Sequence, residues 1–170
     1  MPSALMVRGV QGLGSVHRIA VKVWWGIVER CFPLAYDWSL YERLFKLISD
    51  SGLKLHVALS FHSNVNPSSS RKGCVTLPLW IIEIGHQNKH IFYQDPNGFS
   101  NDDYLTLGVD HVPLFCGWTA LQCYEDFLSS FAKKFESLIA LIGTMIEEIS
   151  VGLGPSGGLK YVTVTLEPQV

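Results

Sequence analysis

The chain has 170 residues, enough for one domain with a core of its own and too few for two of usual size. Hydrophobic residues make up 48% and charged residues 16%, with a formal net charge of -2, which gives no electrostatic case for nucleic acid or an anionic membrane as a partner. The longest apolar run, Leu138 to Ile146, falls short of the ~20 residues of a membrane-spanning helix, and no secretory or transit pattern is legible at the start.

In chain order, Ile19 to Trp25 is nearly continuous in β-branched and aromatic residues, the pattern of a strand buried on both faces. Ser39 is placed to cap a helix whose Leu40, Leu44, Leu47 and Ile48 share a stripe and which Gly52 closes. Leu53 to Phe61 predicts a second strand, followed by a serine-rich loop from Ser63 to Gly73. Pro78 opens a short helix over Leu79 to Gly85. Ile91 to Cys116 reads as an extended excursion, with turns at Asp95-Pro-Asn-Gly98 and Val112-Pro113 and with Asp102 and Asp103 in a solvated turn. A single long helix is expected from Thr119 to about Gly143, then a third strand over Ile146 to Val151. Strands separated by helices imply an α/β fold with a parallel sheet and right-handed crossovers. Residues 1–161 are read as one domain, and residues 162–170 as an unassigned tail.

Several motifs invite chemistry and yield to plainer readings. Gly152-Leu-Gly-Pro-Ser-Gly157 is a formal dinucleotide fingerprint after a strand, but glycine and β-formers follow where a helix should open. His86 and His90 are spaced for one helix face, yet no HExxH accompanies them; exposed histidines are the simpler account. The four cysteines, Cys31, Cys74, Cys116 and Cys123, form no close pair, which argues against a zinc site and for free, mostly buried thiols in a reducing compartment. Glu147 and Glu148, adjacent on a strand, should point to opposite faces and so cannot share a site. No cofactor and no metal site is expected.

Seven segments in order resemble plant β-amylases: Val23-Trp-Trp-Gly-Ile-Val-Glu29, Tyr36-Asp-Trp-Ser39, Gly52-Leu-Lys-Leu55, Leu59-Ser-Phe-His62, Tyr104-Leu-Thr-Leu-Gly-Val-Asp110, Pro113-Leu-Phe115 and Val151-Gly-Leu-Gly-Pro-Ser-Gly157. The resemblance spans roughly residues 19 to 161 and is closest to the plastid-type branch with non-catalytic members. It implies a TIM (β/α)8 barrel, of which this chain would carry a part without closure, and an inverting exo-hydrolase that releases maltose from α-1,4-glucans. It also implies a site at the C-terminal ends of the strands.

Carried over residue by residue, the resemblance makes His62 and Ser156 sugar contacts. It also exposes departures. Gly158 stands where the family has its general acid, Lys22 replaces an acidic sugar ligand, and Trp118 replaces an arginine. The loop from Ser63 to Gly73 lacks the glycine pattern and aspartate of the family's closing lid. The second carboxylate belongs to the family's C-terminal half, which lies outside these residues. Inverting hydrolysis needs both acids, so the expectation is an inactive, truncated copy. The alternatives are residual maltose release, a non-catalytic protein binding α-1,4-glucan or maltose, or an incomplete gene product. The expected location is the plastid or the cytosol. Open barrel edges would invite a protein partner, and the tail is expected to pair back over one of them.

Overall fold

A computed structural model describes residues 17–64, 74–94, 97, 100–108, 111–140 and 145–152. Three strands, β1 (Arg18–Trp24), β2 (Lys54–Ser60) and β5 (Ile146–Gly152), form a parallel sheet in the order β1-β2-β5. They end level: Trp24 pairs with Ser60, and Ser60 with Gly152. The predicted strands are thus present within a residue or two, but β1 is not buried on both faces: of its residues only Val23 is buried, and Arg18, Ala20 and Lys22 are exposed. Trp25 is not the end of β1 but the first residue of a one-turn helix, α1 (Trp25–Val28).

Alternation sets the two faces of the sheet. On β2, Leu55, Val57, Leu59 and the following Phe61 are all buried at 1% exposure or less, under helices α2 (Ser39–Asp50) and α4 (Ala120–Lys134). The opposite face carries Arg18, Lys22 and Trp24 from β1, His56, Ser60 and His62 from β2 and its exit, and Ser150 from β5.

Helix α2 buries Tyr41, Phe45 and Ile48, while Leu40 is 44% exposed; the apolar stripe is rotated by about one residue from the leucine pattern because the larger rings take the core. Ser39 is the first helical residue rather than the cap, and its N–H is met by the Asp37 carboxylate at 3.0 Å. Gly52 (φ 68°) reverses the chain after α2, as a left-handed exit requires. Helix α4 begins with a reciprocal capping box: Thr119 accepts from the Gln122 N–H, and the Gln122 side chain accepts from the Thr119 N–H. The expected single helix is broken at Phe135, where φ -110° and ψ 21° turn the ring onto Phe45 at 4.9 Å, and α5 (Glu136–Ala140) restarts beyond it. Trp38 ties the two helices together, packing on Phe127, Phe131 and Phe135 and donating its indole N–H to Ser130 at 3.0 Å.

Between β2 and α4 lie α3 (Leu79–Gln87) and an antiparallel hairpin, β3 (Phe92–Gln94) and β4 (Ser100–Leu105). The hairpin corrects the extended-excursion reading, and it moves Asp102 and Asp103 from a solvated turn onto a strand. The carboxylates of Glu147 and Glu148 also depart from expectation. A register shift between Leu55 and His56 skips Glu147, so the two acids do not simply alternate, and both reach Arg18, at 2.8 and 3.7 Å. Three of the four cysteines are exposed, and only Cys123 is buried, because the others lie on connections rather than on core-facing stripes.

The sheet is open among the described residues. On the edge strand β5, Ile149 and Val151 pair with Val57 and Leu59 and so share the helix-side face, yet they remain 42% and 38% exposed. Gly26 sits against the chain before α3, where a Cβ would overlap the Thr76 carbonyl oxygen and lie 3.0 Å from the Leu77 carbonyl carbon. The tail and its proposed pairing, and the boundary at 161/162, fall outside the described residues.

Candidate functional site

The C-terminal ends of β1 and β2 bring two predicted residues, Lys22 and His62, together around Trp24. Lys22 and Trp24 are two apart on β1 and so project from one face, and His62 follows β2 on the same face. The Trp24 and His62 rings meet edge to face at 5.2 Å. The Lys22 Nζ lies 5.2 Å from the Trp24 ring centroid, a cation–π contact. The sheet is held shut beneath them: Phe61 N–H donates to the Gly152 carbonyl at 3.1 Å, and Trp24 N–H to the Tyr41 hydroxyl at 2.9 Å.

His62 is 6% exposed, and its Nδ1 has no hydrogen-bond partner among the described residues. Burial holds its pKa below the ordinary imidazole value, and the Lys22 ammonium pushes the same way, against the opposing pull of Asp103. At neutral pH the ring is therefore uncharged, with one buried polar atom open to a ligand. A neutral imidazole beside an aromatic ring suits a hydroxyl-rich ligand, since it can accept or donate one hydrogen bond while the ring covers C–H surface.

The hairpin supplies residues that the sequence reading missed. Ser63 N–H donates to the Asp103 carbonyl at 2.6 Å, and the Ser63 hydroxyl donates to the Asp103 carboxylate. This double contact fixes the chain just beyond His62. The signal available was the run Tyr104-Leu-Thr-Leu107, which should have extended a strand back through Asp103; four polar residues in a row at Ser100 to Asp103 obscured it.

Glu29 is a buried acid near this end, at 2% exposure. Its carboxylate accepts from the Trp25 indole N–H at 2.7 Å and from Leu34 N–H at 2.6 Å, and its backbone carbonyl accepts from the Trp80 indole at 3.2 Å. Burial raises its pKa above the usual carboxylate range, with the two hydrogen bonds opposing. Both carboxylate oxygens are engaged, which makes Glu29 a structural brace for the loop at Leu34 (φ 63°). Trp25, whose neighbour Trp24 faces the site, turns into the core against Phe61, Trp80 and Tyr124.

His86 lies 3.7 Å from Glu83 on the exposed side of α3, and His90 lies in the following 3-10 turn. No group of three or more His, Cys, Asp or Glu residues among those described is placed to hold a metal ion. No helix among them is long and apolar enough to cross a membrane. Ser156 and Gly158 lie outside the described residues, as does the loop over residues 65–73; Trp118 pairs with Phe115 through both backbone groups at 3.0 Å.

Comparison with known proteins bears on this arrangement. The model of Glycosyl hydrolase family 14 matches residues 2–166. The chain is 64% identical over 149 residues to the protein named "Inactive beta-amylase 4, chloroplastic" of Arabidopsis thaliana, an alignment covering 88% of this chain and 27% of that one. It is 40% identical over 149 residues to the beta-amylase of Medicago sativa, covering 86% and 29%. Among solved structures it is similar to the catalytic domain of beta-amylase from Paenibacillus polymyxa, with a TM-score of 0.72 and 26% identity over 93% of this chain and 34% of that one. The chain thus spans less than a third of the length of the curated relatives cited here.

Proposed function

Because this chain belongs to glycosyl hydrolase family 14 and carries part of a β-amylase-type barrel, we propose that it is a β-amylase relative of α-1,4-glucan metabolism that holds glucan without cleaving it. The observation that carries the reading is Gly158, at the place in Gly152-Leu-Gly-Pro-Ser-Gly-Gly158 where the family resemblance puts a proton donor. Inverting hydrolysis protonates the leaving oxygen with one carboxylic acid while a second carboxylate activates water. A hydrogen side chain does neither. A positioned acid or base contributes about 10²–10⁴-fold to such a reaction. The changes at Lys22, at the loop from Ser63 to Gly73 and at Trp118 remove ligand and lid features as well. The word "inactive" in the name of the 64% identical relative supports the same conclusion.

Binding survives this loss in the proposal. His62, with its uncharged ring and open Nδ1, takes a glucose hydroxyl, and Ser156 is assigned a second contact by resemblance. The decisive assay is reducing-sugar release from soluble starch by the purified chain: no maltose above blank is expected, and sustained release abolishes the proposal. Calorimetry with maltose should give binding heat that disappears in His62→Ala. We also place the protein in the plastid, a reading supported by the chloroplastic designation of the same relative. A fluorescent fusion of the full transcript confined to the cytosol would overturn that assignment.

A further inference from the structure

We propose that the mouth formed by Lys22, Trp24 and His62 selects an anionic sugar, a glucosyl unit bearing a phosphate ester, over a neutral one. The inference rests on the glucan-binding reading above and specifies which glucan the site prefers.

The cation comes from Lys22. Its ammonium sits over the Trp24 ring, and no carboxylate pairs with it among the described residues, whereas Arg18, Lys46 and Lys134 each have an acidic partner. A cation–π contact positions the ammonium without cancelling its charge. The full charge is therefore left for a ligand, and a lysine ammonium serves phosphate oxygens as a compact point charge.

The second component is the orphaned nitrogen. Buried polar atoms in folded proteins nearly always have a partner. His62 Nδ1, on a residue 6% exposed, has none among those described, so a ligand atom completes it. Lys22 and His62 both contact the ring of Trp24, each at 5.2 Å, which places cation and imidazole one indole apart. A neutral glucose unit would satisfy His62 and leave Lys22 unused. A phosphorylated unit uses both, with a hydroxyl on the imidazole and the ester oxygens on the ammonium. The acid that acts on His62 does not cancel the effect: the Asp103 carboxylate accepts the Ser63 hydroxyl and forms no ion pair with Lys22.

The test is titration calorimetry on the full chain with four probes: phosphorylated maltodextrin, the same dextrin without phosphate, glucose 6-phosphate and inorganic phosphate. The phosphorylated dextrin should bind about ten-fold more tightly than the neutral one, the ratio a single charge-assisted contact supplies, and added salt should shrink the gap. Lys22→Gln should abolish the advantage, and Lys22→Glu should reverse it. The exposed position of Lys22 makes both variants fold like the parent, which an unchanged melting temperature verifies. Lys46→Gln, on α2, should leave the preference intact. Comparing glucose 6-phosphate with the phosphorylated dextrin identifies whether a free sugar phosphate or a modified glucan is the source.

Equal affinity for the two dextrins, or an advantage that survives Lys22→Gln, overturns this inference and leaves the glucan-binding proposal standing. Inorganic phosphate binding as tightly as glucose 6-phosphate also overturns it, reducing the site to an anion trap. Absence of binding by any sugar overturns both.

Discussion

Replacing Glu29 by glutamine tests whether the buried carboxylate holds up the end of β1. The substitution keeps shape and removes one acceptor. Glu29 meets two donors, the Trp25 indole at 2.7 Å and Leu34 N–H at 2.6 Å, and a glutamine amide can accept with only one of its two ends. One N–H then faces an NH₂ group. If that donor is the Trp25 indole, on a residue 1% exposed, water cannot substitute. A buried donor left without its acceptor costs about 1–3 kcal/mol, a large share of the roughly 5–15 kcal/mol that holds a domain folded. Part of this is returned because glutamine carries no charge to bury, so the net loss at neutral pH should sit near the lower end.

That compensation makes the effect depend on pH. A carboxyl whose folded pKa is raised contributes stability fully below its unfolded value, and this is lost as pH climbs through the folded value. The parent should therefore lose stability relative to Glu29→Gln as pH rises from the ordinary carboxylate range through the raised value of Glu29. Urea unfolding followed by fluorescence at a series of pH values measures both quantities. If glutamine proves neutral at every pH, the brace argument is wrong.

Gly26→Ala forces a methyl into the Thr76 carbonyl oxygen, a contact with backbone that cannot swing aside; a loss of about 3 kcal/mol or more in urea is expected, and a benign alanine would refute the packing described. The imidazole of His62 should titrate below the ordinary value in proton NMR. Lys22→Gln should raise that midpoint and Asp103→Asn should lower it further, since the two charges act in opposite directions; movement the other way in either variant contradicts the site geometry. Native protein should react with a thiol reagent at Cys31, Cys74 and Cys116 and spare Cys123, whose burial pushes its thiol up to about 12; four thiols labelled at one rate without unfolding would disprove this.

Legibility followed the physics of each element. The three parallel strands were readable because short runs rich in β-branched and apolar residues, such as Ile19 to Trp24 and Leu55 to Leu59, stand between helical patterns, and the start of α4 because Thr119 and Gln122 cap each other reciprocally. The polar strand β4 was not readable, since Asp103 earns its place through a distant backbone and hydroxyl at Ser63 rather than through local propensity. The shared grip of Glu147 and Glu148 on Arg18 depended on a register slip that pairing alone creates. Likewise the kink at Phe135 answers to Phe45, ninety residues earlier in the chain. Within the site, Lys22 and His62 were legible through the family resemblance of the segments that carry them. The burial of His62 and its missing partner were not.

The consecutive indoles at Trp24 and Trp25, one facing the open mouth and one sunk against Phe61, Trp80 and Tyr124, amount to two optical probes one peptide apart. Occupancy should dim or shift emission from the outer indole alone, whereas melting should redden the inner one. Replacing each in turn with phenylalanine would let a single cuvette distinguish ligand capture from loss of structure.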